Sequence, residues 1–265
     1  MGRIHLFEFE DQEWMPSFLR NYITDFLSHL SNQLDIFKPI VPIIGKALES
    51  SAENSIVDLG SGAGGGWIKL SAHLHKYYPD TKIFLSDYFP NLKAMSRIAQ
   101  PTSNIKYIEE SIDARKVPKA IKGLRTLFLA FHHFKPKDAA LILQNAVDDN
   151  QPICVFEGQE RSFPSILGMV LSPITLLITT PFIRPFNFKR LVFTYLIPIL
   201  PVLVLWDGVV SCLRTYSLSE LKRLVKSVEG NERFNWEVNT VKSGPGKIVY
   251  LVGIPKIKNR YTIKA

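Results

Sequence analysis

The stretch IVDLGSGAGGG at residues 56–66 decides the fold of this chain. Residues 55–59 predict a short apolar strand, the glycines predict a tight turn, and residues 67–78 predict a helix. A strand that ends in glycines and leads into a helix brings bare backbone N–H groups close to a ligand. Pyrophosphate sites use such a loop without a carboxylate beside the phosphates. Asp58 instead suits a ligand that carries positive charge, such as an amino group or a sulfonium.

Four more apolar runs alternate with helix-like segments after the glycine loop. They are 82–85 before Asp87, 105–109 before Asp113 and Ala114, 126–131 before His132 and His133, and 152–156 before Glu157. The distance from the loop to the first of these runs fits a βαβ unit of roughly 30 residues. The alternation therefore predicts an α/β fold with a mainly parallel sheet.

Residues 57–64 match the pattern V-D-L-G-x-G-x-G and resemble the first motif of the class I S-adenosylmethionine-dependent methyltransferases. The resemblance covers about residues 54–160, with a weaker match over 216–255. It implies a Rossmann-like methyltransferase fold with a mainly parallel seven-stranded sheet flanked by helices, and S-adenosylmethionine as the cofactor. A Rossmann-type nucleotide binder, such as a nicotinamide-dependent reductase, is the alternative.

The resemblance also implies a set of cofactor-binding residues. In this family an acidic residue after the second strand holds the ribose hydroxyls, and Asp87 matches that position. Another acidic residue, in the loop after the third strand, faces the adenine amino group, and Asp113 matches it. The implied cofactor-binding residues are Asp58, Gly60, Ser61, Gly62, Asp87, Tyr88, Asp113 and Ala114.

Three residues at the ends of the fourth and fifth predicted strands are candidates for catalysis. Methyl transfer from a sulfonium is an in-line displacement, so the protein mainly aligns the acceptor and excludes water. An oxygen acceptor also needs a base, and His132 and His133 suit that role because histidine titrates near neutral pH. Alternatively, one histidine faces the core and the other a loop. Glu157 either orients the acceptor or forms an ion pair with Arg161.

Composition and charge agree with a single enzyme-sized globular unit. The chain has 265 residues, of which 46% are hydrophobic and 21% charged, so it is not a disordered chain. Cys154 and Cys212 have no disulfide or metal spacing, which favours a reducing cytoplasm and predicts no metal-binding residues. The net charge of +8 permits nucleic acid or an anionic membrane as a partner. The absence of a nucleic-acid motif makes nucleic acid the less favoured of the two.

The first 50 residues predict a helical cap in front of a methyltransferase domain at 51–265. Apolar residues recur at helical spacing over residues 12–34, and a second helix is predicted over 38–49. Asp11, Trp14 and Arg20 are possible substrate contacts; alternatively they are a helix cap, a core anchor and a solvated charge. Near the end of the chain, Ser217 and Glu220 predict a capping box, and we expect packing roles for Arg214 and Tyr216.

An apolar block, predicted as an insertion over about residues 162–207, follows the fifth strand. Between residues 163 and 206 its only charged residues are Arg184, Lys189 and Arg190, Asp207 closes it, and prolines interrupt it. We expect a kinked helical segment that lies shallowly in lipid with the basic residues at the headgroups. An internal lid over the active site and a membrane-crossing hairpin are the alternatives, and the hairpin would oppose the positive-inside tendency. In each case the block should border the opening through which substrate reaches the site.

These patterns together predict a methyltransferase that acts on a hydrophobic small molecule or a lipid-like acceptor. The apolar block and the positive charge place it in the cytoplasm, peripheral to the inner face of a membrane. A catalytically silent S-adenosylmethionine-binding protein that docks on a membrane or a partner is the alternative.

Overall fold

A computed structural model of the chain describes residues 2–256 and contains one seven-stranded sheet in the order β3-β2-β1-β4-β5-β7-β6. The strands are β1 Ser55–Leu59, β2 Lys82–Ser86, β3 Ile105–Tyr107, β4 Leu124–Phe128, β5 Ile153–Glu157, β6 Phe234–Ser243 and β7 Gly246–Pro255. Strands β1 to β5 pair in parallel, whereas β7 pairs antiparallel with both β5 and β6. The sheet is therefore mixed, and the prediction of a mainly parallel seven-stranded sheet is confirmed.

Residues 2–256 also form ten α-helices. They are α1 Ser17–Gln33, α2 Val41–Leu48, α3 Trp67–His75, α4 Leu92–Ala99, α5 Pro136–Asp148, α6 Phe163–Val170, α7 Ser172–Thr179, α8 Phe188–Leu191, α9 Ile199–Arg214 and α10 Leu218–Lys226. Alternate strand residues face opposite layers: Val57 packs with α5 and α10, and Ile56 packs with α2, α3 and α4. Cys154 is buried in the second layer, and Tyr216 packs in the first, as expected for it. The predicted capping box at Ser217 and Glu220 is also present.

Two predicted boundaries were wrong for identifiable backbone reasons. Strand β4 ends at Phe128, because Leu129 has a left-handed φ of 51° and turns the chain into the 3₁₀ turn Phe131–His133. The two histidines therefore lie on this turn. Helix α1 starts at Ser17 rather than residue 12, with Pro16 at its N-cap position, so Asp11 does not cap it.

Residues 163–206 form helices α6 to α8, the π-helical turn Val192–Leu196, and the first half of α9. Leu176 of α7 and Leu203 of α9 join Phe26 of α1 in a third cluster of buried side chains. Within residues 2–256 no single helix has the length and apolarity to cross a membrane. Two bent pairs meet that test jointly, with bends of 41° and 78°. Of the predicted domain at 51–265, residues 257–265 lie outside the described residues.

Candidate active site

A cavity of about 600 Å³ opens at the carboxyl ends of β1, β2 and β4. This edge of an open α/β sheet is the place where ligands bind in such folds. Helix α1 covers the cavity through Arg20, Asn21 and Thr24, and the segment before α1 closes it further with Glu10 and Asp11. The cavity therefore lies between the sheet and the N-terminal part of the chain, and its volume suits a small-molecule ligand.

The glycine loop forms one wall of this cavity. Gly60 and Gly62 have φ values of +83° and +53°, which other residues rarely adopt. The N–H groups of Gly60 and Ser61 donate to the carbonyl of Ser86 at 3.0 and 2.9 Å, which ties the loop to the end of β2. A Cβ atom at Gly62 would lie 3.2 Å from a methyl carbon of Thr24 on α1. Glycine therefore permits both the turn and the close approach of α1.

Asp58 lies beneath the loop and does not line the large cavity. Its carboxylate accepts hydrogen bonds from the hydroxyls of Ser61 at 2.7 Å and Thr126 at 2.8 Å. Burial raises the pKa of Asp58 to about 6. This carboxylate therefore shapes the loop from below, whereas the sequence predicted that it faces the ligand directly.

The other seven predicted cofactor residues all line the cavity: Gly60, Ser61, Gly62, Asp87, Tyr88, Asp113 and Ala114. One Asp87 oxygen accepts from the N–H of Gly62 at 2.7 Å, and the other accepts from the N–H of Phe89 at 2.8 Å. Asp113 pairs with Arg115 at 2.8 Å, and this hydrogen-bonded guanidinium lowers the pKa of Asp113. The loops after β1, β2 and β3 thus converge as the sequence predicted.

His133 is the predicted catalytic residue that faces the cavity. Its Nδ1 donates to Asp11 at 2.7 Å and lies 3.0 Å from a carboxylate oxygen of the buried Glu8. Arg214 joins the same group, with its guanidinium 2.7 Å from Asp11 and 3.0 Å from Glu8. Burial alone would lower the pKa of His133, but the two carboxylates outweigh it and raise that pKa to about 10. The imidazole is therefore positively charged near neutral pH.

His132 and Glu157 do not line the cavity but lie buried behind it. Glu157 accepts from the backbone N–H of His132 at 2.9 Å, and its second oxygen lies 2.9 Å from His132 Nδ1. Gln159 also donates to that oxygen at 2.9 Å. Arg161, the alternative partner of Glu157, pairs with Glu220. The arrangement matches the expectation that one histidine faces the core. Both carboxylate oxygens of Glu157 are already bonded to His132 or Gln159.

Glu10 is a candidate functional residue that sequence reasoning missed. It lines the cavity, and its backbone N–H donates to Asp207 on α9. Burial and the nearby Asp207 carboxylate raise the pKa of Glu10 to about 8. A carboxylate with such a pKa is a stronger base than an ordinary one. The only sequence signal is the acidic run of Glu8, Glu10 and Asp11 ahead of a helix.

One group of side chains has the composition of a metal site. Potential ligand atoms of Glu8, His132 and His133 lie within 4.8 Å of one another. The guanidinium of Arg214 and the charged imidazole of His133 already neutralise Glu8, so a metal ion would compete with two bonded cations. We therefore interpret the cluster as an ion-pair network. The prediction of no metal-binding residues stays a prediction.

The structure agrees with only some of the expectations for the N-terminal residues. Asp11 and Arg20 line the cavity, and the Arg20 guanidinium lies 4.5 Å from the ring centre of Phe89. Trp14 does not line the cavity and is 68% exposed, so it is not a core anchor. Arg214, expected only to pack, binds Glu8 and Asp11.

No residue of 162–207 lines the cavity, because α1 lies between, and the expectation that the block borders the site was wrong.

Solved methyltransferase structures share this fold. The plantazolicin methyltransferase BpumL, solved with SAH, is 13% identical with a TM-score of 0.57, and the match covers 89% of this chain and 90% of that one. PigF with SAH is 14% identical with a TM-score of 0.51, covering 91% of this chain and 62% of that one. An O-methyltransferase family protein from Burkholderia thailandensis is 12% identical with a TM-score of 0.50, covering 89% and 59%.

The likeness establishes the predicted methyltransferase-type fold. At these identities it establishes the fold alone, and the chain spans only about three-fifths of the last two proteins. No protein-family model matches the chain, and no curated protein matches it in sequence.

Proposed function

We propose that this protein transfers a methyl group from S-adenosylmethionine to a small-molecule acceptor. One observation carries the proposal: the glycine loop, Asp87 and Asp113 converge on a cavity that Glu10 and His133 also line. The first group suits a cofactor, and the second suits acid–base chemistry. BpumL and PigF, which share this fold, were solved with SAH, and this supports the choice of cofactor.

The residues present fit this cofactor. The positive-φ glycines keep side chains out of the loop, and the Asp87 carboxylate is held in place by two backbone N–H groups. Asp87 and Asp113 offer acceptors for hydroxyl and amino groups. S-adenosylmethionine supplies an already activated methyl group when bound. Asp58 contributes by holding Ser61 and Thr126 beneath the loop.

We propose Glu10 as the group that accepts a proton from the acceptor. Its raised pKa makes it a better base than an ordinary carboxylate, and it lines the cavity. His133 holds a proton near neutral pH, so we propose that it donates a hydrogen bond rather than acting as the base. Since Nδ1 is bonded to Asp11, Nε2 is the ring nitrogen left to make that bond. A protein with no turnover is the less favoured reading, because it would not need such a group.

We further propose that the acceptor is a hydrophobic or lipid-like compound taken from the inner face of a membrane. The cavity wall includes the apolar side chains of Leu27, Ile112, Leu129 and Phe134 beside the charged groups. An acceptor with an apolar body and a polar reacting group suits such a wall. The exposed apolar side chains of residues 163–206 support the membrane location.

The decisive experiment follows a labelled methyl group. Purified protein is incubated with methyl-labelled S-adenosylmethionine and a cellular lipid extract, and the organic phase is counted. We expect label in that phase, with a loss of roughly 10²–10⁴-fold in Glu10→Gln and an unchanged rate in the control Glu53→Gln, which changes an exposed loop carboxylate. No transfer to any fraction, despite intact cofactor binding, would support the silent alternative.

A further inference from the structure

The helices of residues 163–206 expose an unusual number of large apolar side chains. More than half of the exposed large hydrophobic side chains of the described chain lie in this segment, although it is about a sixth of the sequence. Phe163, Phe182, Phe188 and Leu196 are each at least 65% exposed. A monomer rarely leaves so large an apolar patch in contact with water, and such patches mark interaction surfaces.

The segment of residues 163–206 carries apolar side chains on both its inner and its outer side. On the inner side, Leu176 of α7 and Leu203 of α9 are buried against α1. Along α6 and α7 the outer face carries Phe163, Leu167 and Ile174 at helical spacing. A helix that is apolar all round is normally buried on every side, in a core or in a membrane. The outer face therefore lacks the partner that the inner face has.

Charge indicates which partner fits. No acidic residue occurs between positions 163 and 206, and the three charged residues are basic. Arg184 and Lys189 are exposed beside the apolar surface. Arg190, by contrast, is buried and bonded to Asp25 at 3.1 Å, so the expectation that it sits at lipid headgroups was wrong. An apolar patch with two cations at its edge is complementary to anionic lipid.

Aromatic side chains connect this surface with the cavity. Trp206 on α9 lies 5.3 Å from Phe7 between ring centres, and its indole N–H donates to the Phe7 carbonyl at 3.0 Å. The exposed Trp14 lies 6.1 Å from Phe9. Tryptophan is favoured where apolar and polar environments meet. Glu10, which lines the cavity, directly follows Phe9, so the same segment reaches both the aromatic edge and the cavity.

We propose that residues 163–206 dock on one leaflet of an anionic membrane without crossing it. The bends of 41° and 78° within the two helix pairs set the apolar side chains along a surface rather than along a single spanning axis. Phe182, Phe188 and Leu196 enter the lipid, and Arg184 and Lys189 stay at the headgroups. This proposal rests on the proposed function in one respect: docking on lipid would bring the cavity close to a source of apolar acceptor.

Vesicle flotation tests the docking with the full chain. Wild-type protein should float with vesicles of phosphatidylcholine and phosphatidylglycerol and bind pure phosphatidylcholine at least roughly tenfold more weakly, since each basic residue near anionic lipid contributes about 1 kcal/mol. Phe182→Ser, Phe188→Ser and Leu196→Ser together should abolish flotation. The matched control changes three exposed apolar residues elsewhere, Leu34, Ile68 and Tyr77, to Ser, and should float as wild type does.

A second variant guards against misfolding. Arg184→Glu with Lys189→Glu alters only exposed side chains and should weaken flotation on anionic vesicles at least roughly tenfold while the melting temperature stays unchanged. Wild-type protein that ignores anionic vesicles would overturn the proposal, as would association of two copies through this surface in light scattering. Calorimetry with S-adenosylmethionine on the same samples separates the two proposals, because cofactor binding does not require lipid.

Discussion

Two residues at the cavity titrate far from their ordinary range. Glu10 has its pKa raised to about 8 by burial and by Asp207, and His133 has its pKa raised to about 10 by Glu8 and Asp11 against the effect of burial. A base works when deprotonated, so Glu10 becomes active as the pH rises through about 8. His133 loses its charge only above about 10. The two groups thus define a window for proton transfer.

The first prediction is a pH profile with an alkaline optimum. The rate of methyl transfer should rise through about pH 8, where Glu10 loses its proton, and fall near pH 10, where His133 loses its charge. Glu10→Gln should lower the rate and remove the rising limb. Steady-state rates from pH 5 to 11 measure this. A rising limb that persists in Glu10→Gln would exclude Glu10 as the base.

The second prediction concerns Asp87. Asp87→Asn removes the charge that holds the N–H groups of Gly62 and Phe89, at 2.7 and 2.8 Å. Hydrogen bonds to charged groups contribute about 1.5–3 kcal/mol, so the affinity for S-adenosylmethionine should fall about 10- to 100-fold. Calorimetry measures the change, with the exposed Asp80→Asn as control. Equal affinities in both variants would remove Asp87 from the cofactor site.

The residue scale also shows what the sequence could and could not predict. Seven of the eight cofactor candidates line the cavity, because strand ends and glycine turns fix where those residues lie. The sequence correctly put Asp58 at the end of β1. It could not show that Asp58 faces Thr126, because Thr126 lies on the neighbouring strand β4. Glu10 could not be predicted, since no spacing rule says that residues ahead of the first helix fold over the sheet.

At the scale of elements, helix α9 anchors the segment ahead of α1. Asp207 accepts from the N–H groups of Phe9 at 2.8 Å and Glu10 at 3.3 Å, and the carbonyl of Leu213 accepts from Ile4 at 3.1 Å. This segment carries Glu10 and Asp11 to the cavity and buries Glu8 beside His133 and Arg214. The sequence predicted helices and proline breaks in the apolar block correctly, because proline restricts the backbone locally. It did not predict that α1 would separate the block from the cavity, which depends on tertiary packing.

The third prediction tests this anchoring. Asp207→Ala leaves two backbone N–H groups without their acceptor and should loosen the N-terminal segment. We expect faster limited proteolysis ahead of α1 and a lower methyl-transfer rate, with S-adenosylmethionine affinity within about threefold of wild type, since the glycine loop is untouched. Asp148→Ala on α5, an exposed carboxylate, is the control. Unchanged proteolysis in Asp207→Ala would show that the segment is held by its other contacts.

On the scale of the whole molecule, the two proposed functions, cofactor binding and lipid docking, meet around helix α1. One face of α1 covers the cavity through Arg20 and Thr24, and the other packs against the apolar helices through Ile23 and Phe26. The sheet supplies the loops that would hold the cofactor, and the helices of 163–206 supply the surface proposed to dock on lipid. The alternation of strands and helices predicted the first arrangement. The apolar composition of residues 163–206 suggested the second, but which of its side chains are exposed, and that Arg190 is buried, depends on tertiary packing.

The central claim is that the cavity binds S-adenosylmethionine, and calorimetry with the wild-type protein tests it most directly. Titration with S-adenosylmethionine should give a saturable heat at one site per chain, and titration with NADH should give none. This result follows from the carboxylates at Asp87 and Asp113, which accept from hydroxyl and amino groups, and from the carboxylate of Asp58 beneath the glycine loop. Saturable heat from NADH, with none from S-adenosylmethionine, would contradict the account and identify a nicotinamide-binding protein.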